Sequence, residues 1–356
     1  MGKRLKQCVG IDVSQEKLDV CLGYVDDNLK IHFLVQRTFN NKPSALPSFE
    51  KWITKHTESD VKTIVAMEAT GVYHQSCAYH LHANDFVVSI ELPNKISNYV
   101  RSLNQKTKTD KKDAQAICQY GLERDVKAWE PPNKIYRELC SLTRERTQLR
   151  RESSRIKSKL HAERAGHYAN ENMIERMKIR LVLIATQIKE IEAELKEKVK
   201  SNKKLNEDIT RTQSIVGIGF LTSCIIHAET QGFALIENKK QLTSYAGYDI
   251  RQKQSGTSVN GKTRISKKGN SHLRAAMHHP AMTSVRHHEP TKNFCTRIIQ
   301  RSGIPMKGYV AVQRHLLELA FILHKNKTTF DIEYHNKKAA KVNLRRSLAD
   351  NKIAAF

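Results

Sequence analysis

The sequence predicts an α/β domain, then a long helical segment, then a second domain that is mainly helical. Three observations carry this. β-rich runs precede alternating helical and β-rich runs up to residue 123, apolar residues keep a heptad spacing from 174 to 195, and a hydrophobic-Gly-hydrophobic-Gly turn at 216–219 opens a further helical stretch. In order, residues 7–24 read as two short strands around a polar turn and 31–38 as a third strand. A helix follows between Pro43 and His56, and Thr63–Glu68 is a short apolar run that meets a turn at Ala69-Thr70-Gly71. Residues 73–83 are helical, and 86–92 form another β-rich run stopped by Pro93. From Asp110 to Glu123, Ala114, Ile117, Cys118 and Leu122 fall on one side of a helix. Strands first, then helix and strand in alternation, predict a mixed sheet with helices packed on it.

The chain of 356 residues is long enough for two or three domains at about 100–200 residues each. Its 61 Lys+Arg against 36 Asp+Glu leave a net charge of +25, which predicts a polyanionic partner and disfavours a small neutral metabolite as the main ligand. No stretch approaches the ~18 consecutive apolar residues of a membrane span, and the basic N-terminus lacks the apolar region of a secretory signal. Seven scattered cysteines with no C-x-x-C pair predict a reducing cytoplasm.

Ile174, Met177, Leu181, Ile184, Ile188, Ile191 and Leu195 alternate spacings of three and four, a heptad seam. A weaker seam (Leu139, Leu142, Leu149, Ile156, Leu160) precedes it, with a break at 165–170. The pair reads as a helical hairpin or as a dimeric coiled coil, a rigid spacer or an oligomerisation arm. In the turn at 216–219, Gly217 and Gly219 could present backbone N–H groups to a phosphate in the manner of a helix-hairpin-helix, or serve only close packing. No acidic residue lies between Asp249 and Glu289, an interval that holds Lys262, Arg264, Lys267, Lys268 and Arg274, so phosphate contact is favoured over a solvated face. The expected domains are 1–130, 131–205 and 206–332, with a basic tail at 333–356.

Four carboxylates stand out by placement. Asp12 lies mid-strand, where a charge needs a partner or a cation, and Glu68 ends an apolar strand. Asp110 and Asp113 project from one helical face. If the two strands are neighbours, the helix lays its pair across their ends, and the mutual repulsion of the acids would suit hard divalent cations such as Mg²⁺. The plainer reading of each acid is a salt bridge, and Asp19 and Glu91, also near strand ends, are rivals. A transition-metal site at His278, His279, His287 and His288 is disfavoured, because adjacent histidines diverge on a helix.

Gly10-Ile11-Asp12-Val13-Ser14, Glu68-Ala69-Thr70-Gly71-Val72-Tyr73 and Lys108-Thr109-Asp110-Lys111-Lys112-Asp113-Ala114 resemble the three segments of a DEDD transposase of the bridge-RNA-guided insertion-sequence family, whose relatives include pilin-gene DNA invertases. The likeness continues through Tyr245-Ala246-Gly247, Ser255-Gly256 and Ile265-Ser266-Lys267-Lys268-Gly269-Asn270 with Leu273-Arg274. It implies a RuvC-like, RNase H-like N-terminal domain with Asp12, Glu68, Asp110 and Asp113 binding Mg²⁺, two ions per site. It implies a coiled-coil middle and a C-terminal domain whose Ser255 forms a phosphoserine link to cleaved DNA. It also implies double-stranded DNA and a structured guide RNA as partners, a homo-oligomer, and a bacterial, nucleoid-associated location. The family's Leu-x-Pro after Ala-Gly is replaced here by Tyr248-Asp249-Ile250, which puts the setting of the loop before Ser255 in question. The expected activity is site-specific DNA strand cleavage and rejoining. The rivals are a Holliday-junction-type nuclease, which needs the four acids but not Ser255, and a non-catalytic nucleic-acid-binding protein.

Overall fold

A computed structural model describes residues 3–334 apart from 70, 105–108, 235, 253, 256–258 and 262, and the backbone alone at 255, 259 and 260. The chain divides into two compact units, Met1–Pro131 and Pro132–Phe356.

In the first unit the alternation of apolar residues builds a five-stranded mixed sheet. Its strands are β1 (Arg4–Val13), β2 (Lys17–Asp26), β3 (Ile31–Asn40), β4 (Thr63–Glu68) and β5 (Val87–Glu91), in the order β3-β2-β1-β4-β5. β1, β2 and β3 pair antiparallel through short turns, while β1, β4 and β5 run parallel and need helical crossovers. The helices are α1 (Leu46–His56), α2 (His74–Ala83), α3 (Pro93–Ser102) and α4 (Asp110–Glu123).

Side chains alternate across the sheet, so each strand feeds two cores. Val9, Ile11 and Val13 of β1 join Val65 and Met67 of β4 against Phe49, Trp52 and Ile53 of α1 and Leu81 of α2. Cys8 of β1 and Ala66 of β4 face the other way, toward Ile96 of α3 and Ala114, Ile117 and Cys118 of α4. The mixed sheet, the strands and α4 fall where the sequence placed them. α3 does not. Pro93 ends β5 but also opens a helix, because at a first helical position its missing N–H costs nothing.

In the second unit α5 (Lys134–Ala165) and α6 (Glu171–Ser201) form an antiparallel hairpin, closed by Arg146–Glu192 at 2.7 Å and Lys198–Glu138 at 2.8 Å. The heptad residues Ile174, Met177, Ile184, Ile188, Ile191 and Leu195 are buried, so the hairpin alternative is the one this chain adopts internally. Helices α7 (Lys203–Gln213), α8 (Phe220–Thr230), α9 (Lys239–Ala246), α10 (Ser271–Ala276), α11 (His278–His287), α12 (Glu289–Ser302) and α13 (Pro305–Asn326) follow. Leu139, Leu142, Leu195 and Val199 at the hairpin's root pack with Leu205, Ile209 and Cys224, so α7 and α8 seat it. The basic interval read as loop contains four two-residue strands, β6 (Ile250–Arg251) paired with β9 (Arg264–Ile265), and β7 (Gln254–Ser255) paired with β8 (Val259–Asn260). Runs this short carry no periodicity that a sequence could reveal. Among the described residues no helix is long and apolar enough to cross a membrane.

Candidate functional site

Strand register decides which acids meet. Asp12 sits two residues past Gly10 and Glu68 two past Ala66, so by the two-residue period both belong to the α4 face. Gly10 pairs with Ala66 and Ile11 with Met67 in parallel register, which puts Asp12 and Glu68 on neighbouring strands at the same level. Asp19 lies directly opposite Asp12, and Glu91 opposite Glu68. A row of four carboxylates therefore crosses β2, β1, β4 and β5.

α4 brings the other two. Thr109 caps its start by accepting from the Lys112 N–H at 3.3 Å, and Asp110 and Asp113 occupy its first turn, where the helix dipole favours negative charge. Glycine sets the depth at which the helix lies. A Cβ at Gly10 would stand 2.5 Å from the Ala114 carbonyl oxygen and 2.6 Å from the Cys118 Cα. The helix thus rests on the bare backbone of β1, and the Cys118 thiol donates to the Cys8 carbonyl at 3.1 Å. All seven cysteines are free thiols.

The electrostatics separate the acids that sequence could not. Burial, and then the charges of Asp113, Asp110, Glu68 and Asp19, push the Asp12 carboxyl up to about 6. Asp12 is where the other carboxylates converge. Asp19 is buried and accepts from Thr38 Oγ1 at 2.5 Å, and Glu91 is buried and held by Lys95 at 2.9 Å, so both rivals have local partners. Asp110 is exposed, whereas Asp12, Glu68 and Asp113 are half-buried. Among the described residues no group of three or more His, Cys, Asp or Glu is gathered closely enough to hold a metal ion by itself.

In the second unit the C-terminal motif residues fold onto one buried acid. Glu229 accepts from Arg144 Nε and Nη2 at 2.9 Å each and from Asn270 Nδ2 at 2.6 Å, and its carbonyl accepts from the Tyr245 hydroxyl at 2.6 Å. Burial alone would raise its pKa, but the hydrogen bonds from Arg144 and Asn270 outweigh that and hold it below the ordinary value. Arg274 donates to the Ala246 carbonyl at 2.7 Å, and is thereby a buttress of the Tyr245-Ala246-Gly247 turn. Asp249, in the segment that departs from the family pattern, accepts from Ser266 Oγ at 2.6 Å and ties β6 to the residues after β9. Arg264, Lys267 and Lys268 are exposed. Ser255 pairs through its backbone with Val259, while its side chain and Lys262 lie outside the described residues.

Gly217 has φ +97, and a Cβ there would meet the Pro280 carbonyl at 2.5 Å and the Ser284 N at 2.9 Å, so packing against α11 accounts for this glycine. Gly219 caps α8, is exposed, and has nothing within 4 Å of where a Cβ would be. Of the histidines, His288 is buried against Thr291 Oγ1 at 2.7 Å and His279 is exposed.

Sequence reasoning missed Glu229, which carries no motif. Its signal would have been a lone acid in an apolar helix. Replacing Glu229 with alanine should cost about 2–3 kcal/mol, the loss of a charge-assisted buried network, measured by urea unfolding. A variant as stable as the parent would show that Glu229 does not fix the 264–274 loop.

Two family models match the chain. One, described as Transposase and of the IS110 DEDD type, covers residues 9–163, and the other, described as Transposase IS116/IS110/IS902 family, covers 210–296. Both place the chain among the enzymes that move or rearrange DNA segments. The pilin gene-inverting protein of Moraxella bovis is 25% identical over 331 residues, 93% of this chain and 99% of the relative. The transposase for insertion sequence element IS1111A of Coxiella burnetii (strain RSA 493 / Nine Mile phase I) is 23% identical over 252 residues, 64% of this chain and 69% of the relative. Among solved structures, T. thermophilus RuvC in complex with a Holliday junction substrate aligns with a TM-score of 0.26 and 15% identity over 35% of this chain and 99% of RuvC. The chain belongs to the IS110 family of insertion-sequence transposases, and its activity is that of a DNA transposase/recombinase.

Proposed function

We propose that this transposase cuts and rejoins DNA at a RuvC-like carboxylate site, with Asp12, Glu68, Asp110 and Asp113 holding two Mg²⁺ ions and Ser255 as nucleophile. The observation that carries the reading is the register that sets Asp12 and Glu68 level on neighbouring strands, with Asp110 and Asp113 in the first turn of α4, whose charges act on Asp12. The donor set consists of oxygens alone and is self-repelling, which fits a hard divalent cation and not a thiolate-seeking metal. Bound Mg²⁺ would neutralise charge gathered on the scissile phosphate. The sheet order and the family membership support the RuvC-like reading.

In the proposed step the Ser255 oxygen attacks phosphorus. A P–O bond to serine forms as the P–O bond to one deoxyribose breaks, the serine proton is released and the departing sugar oxygen takes one up. Attack by a new sugar hydroxyl reverses the exchange and rejoins the strand without ATP. Arg264, Lys267, Lys268 and Lys262 would hold the backbone, and the open N-cap at Gly219 could receive a phosphate. Arg274 would act by bracing the loop.

A structured guide RNA as target selector rests on the motif resemblance and is supported by the surplus of 25 positive charges. Assembly as a homo-oligomer is supported by an apolar stripe on the outer face of α6, where Ile179, Val182 and Leu183 are 61%, 67% and 57% exposed. The test is cleavage of labelled donor DNA in Mg²⁺ with flanking RNA, resolved on a denaturing protein gel. Wild type should trap label on the protein and Ser255→Ala should trap none. Free cleaved product without adduct, unchanged in Ser255→Ala, would sink the covalent step and leave a resolvase-like nuclease.

A further inference from the structure

The root of the hairpin carries cations that neither the carboxylate site nor the exposed basic residues Arg264, Lys267 and Lys268 account for. A cleft of about 530 Å³ between α5, α8 and α10 is lined by Arg144, Arg146, Arg150, Arg151, His272 and His279. Among the described residues the one carboxylate on its wall is Glu229, already taken up by Arg144 and Asn270. Arg146 is answered by Glu192. Arg150 and Arg151 are exposed, and Glu229, engaged elsewhere, leaves both of their charges unanswered within the cleft.

The spacing suits a polyanion. Arg144 and Arg151 lie seven residues apart on one stripe of α5, about 10 Å along the axis. That length is enough to face successive phosphates of one strand of duplex DNA. Ala275 and Ala276 of α10 also line the cleft and leave it room. Among the described residues no Phe, Tyr or Trp lines it, and its walls offer cations and small side chains, which suits a phosphate backbone. Glu229 holds the Arg144 fork in place from behind, which limits the side-chain entropy lost on binding.

We infer that this cleft holds the sugar-phosphate backbone of double-stranded DNA, as a contact distinct from Arg264, Lys267 and Lys268. The inference rests on the DNA-recombining reading of the chain. Its test is fluorescence anisotropy of full-length protein with a labelled DNA duplex and with an RNA hairpin of the same sequence, titrated over salt. The double variant Arg150→Gln, Arg151→Gln should bind the duplex roughly tenfold or more weakly at low salt, whatever its sequence, with a salt slope shallower by about 2. Arg155→Gln with Lys157→Gln removes the same charge from the same helix beyond the cleft and should keep wild-type affinity. Circular dichroism melts establish that both variants are folded. Equal losses in the two double variants would reduce the cleft to bulk charge, and a loss confined to the RNA hairpin would overturn the DNA assignment. Asp12→Asn separates the two readings. If it still cleaves while the cleft variant loses DNA, the carboxylate site is wrong and the cleft stands. If it fails to cleave while the cleft variant binds as wild type, the reverse holds.

Discussion

Asp12→Asn is expected to abolish strand cleavage, by roughly a thousandfold or more, and at the same time to make the metal-free protein more stable at pH 8. The two effects share a cause. Burial and the neighbouring acids raise the Asp12 carboxyl to about 6, so the folded chain holds this proton more tightly than the unfolded chain does. Stability linked to it is therefore present at low pH and is lost as pH rises through about 6. Above that, the native state carries a charge that its surroundings oppose. Asparagine keeps the shape and removes the charge. Because Asp12 is only half-buried, solvent screening limits the gain to on the order of 1 kcal/mol. Thermal melts in a chelating buffer should show the variant melting higher at pH 8, with the gap closing as pH falls toward the ordinary carboxylate range. Added Mg²⁺ should raise the melting temperature of the wild type more than that of the variant. A variant that melts lower than wild type at pH 8 would mean that Asp12 is held by an attractive partner and not by its repelling neighbours.

Gly10→Val should be among the most damaging substitutions available in the first unit. The space where its side chain would go is filled by the backbone of α4 at Ala114 and Cys118, and a helix backbone cannot rotate aside as a side chain can. Either α4 lifts from the sheet or the strand buckles. The cost should reach about 3 kcal/mol or more, at the upper end for overpacking. Lifting α4 also carries Asp110 and Asp113 away from Asp12, so cleavage should fall further than the folded fraction does. Urea unfolding monitored by circular dichroism, with cleavage assayed at the same temperature, measures both. A variant with wild-type stability and activity would remove the close strand–helix packing as the device that sets the site.

Much of the fold is written locally. Thr63–Glu68, Asp110–Glu123 and the seam from Ile174 to Leu195 declare themselves by period, because the same alternation that buries a face also spaces the residues along the chain. α3 and the two-residue strands β6 to β9 are the counterexamples. The helix begins at a proline that also reads as a strand terminator, and the strands are held by tertiary contacts such as Ser266 Oγ to Asp249. The six arginines and lysines of 144–157 are visible in the sequence as charge, but the sequence does not say that α8 and α10 form the opposite wall.

The sequence by itself determined which acids stand within or near the ends of strands and at a helix start, and that the whole carries excess positive charge. Only the tertiary structure set the acids apart electrostatically. Asp12, Asp19, Glu68 and Glu91 have equivalent local settings, and what separates them is the company each keeps across strands. Thr38 satisfies Asp19 and Lys95 satisfies Glu91, while Asp12 is pressed by Asp113 and Asp110 from a helix some hundred residues on. Charge–charge energy depends on distance in space, which register and helix depth fix and chain position does not.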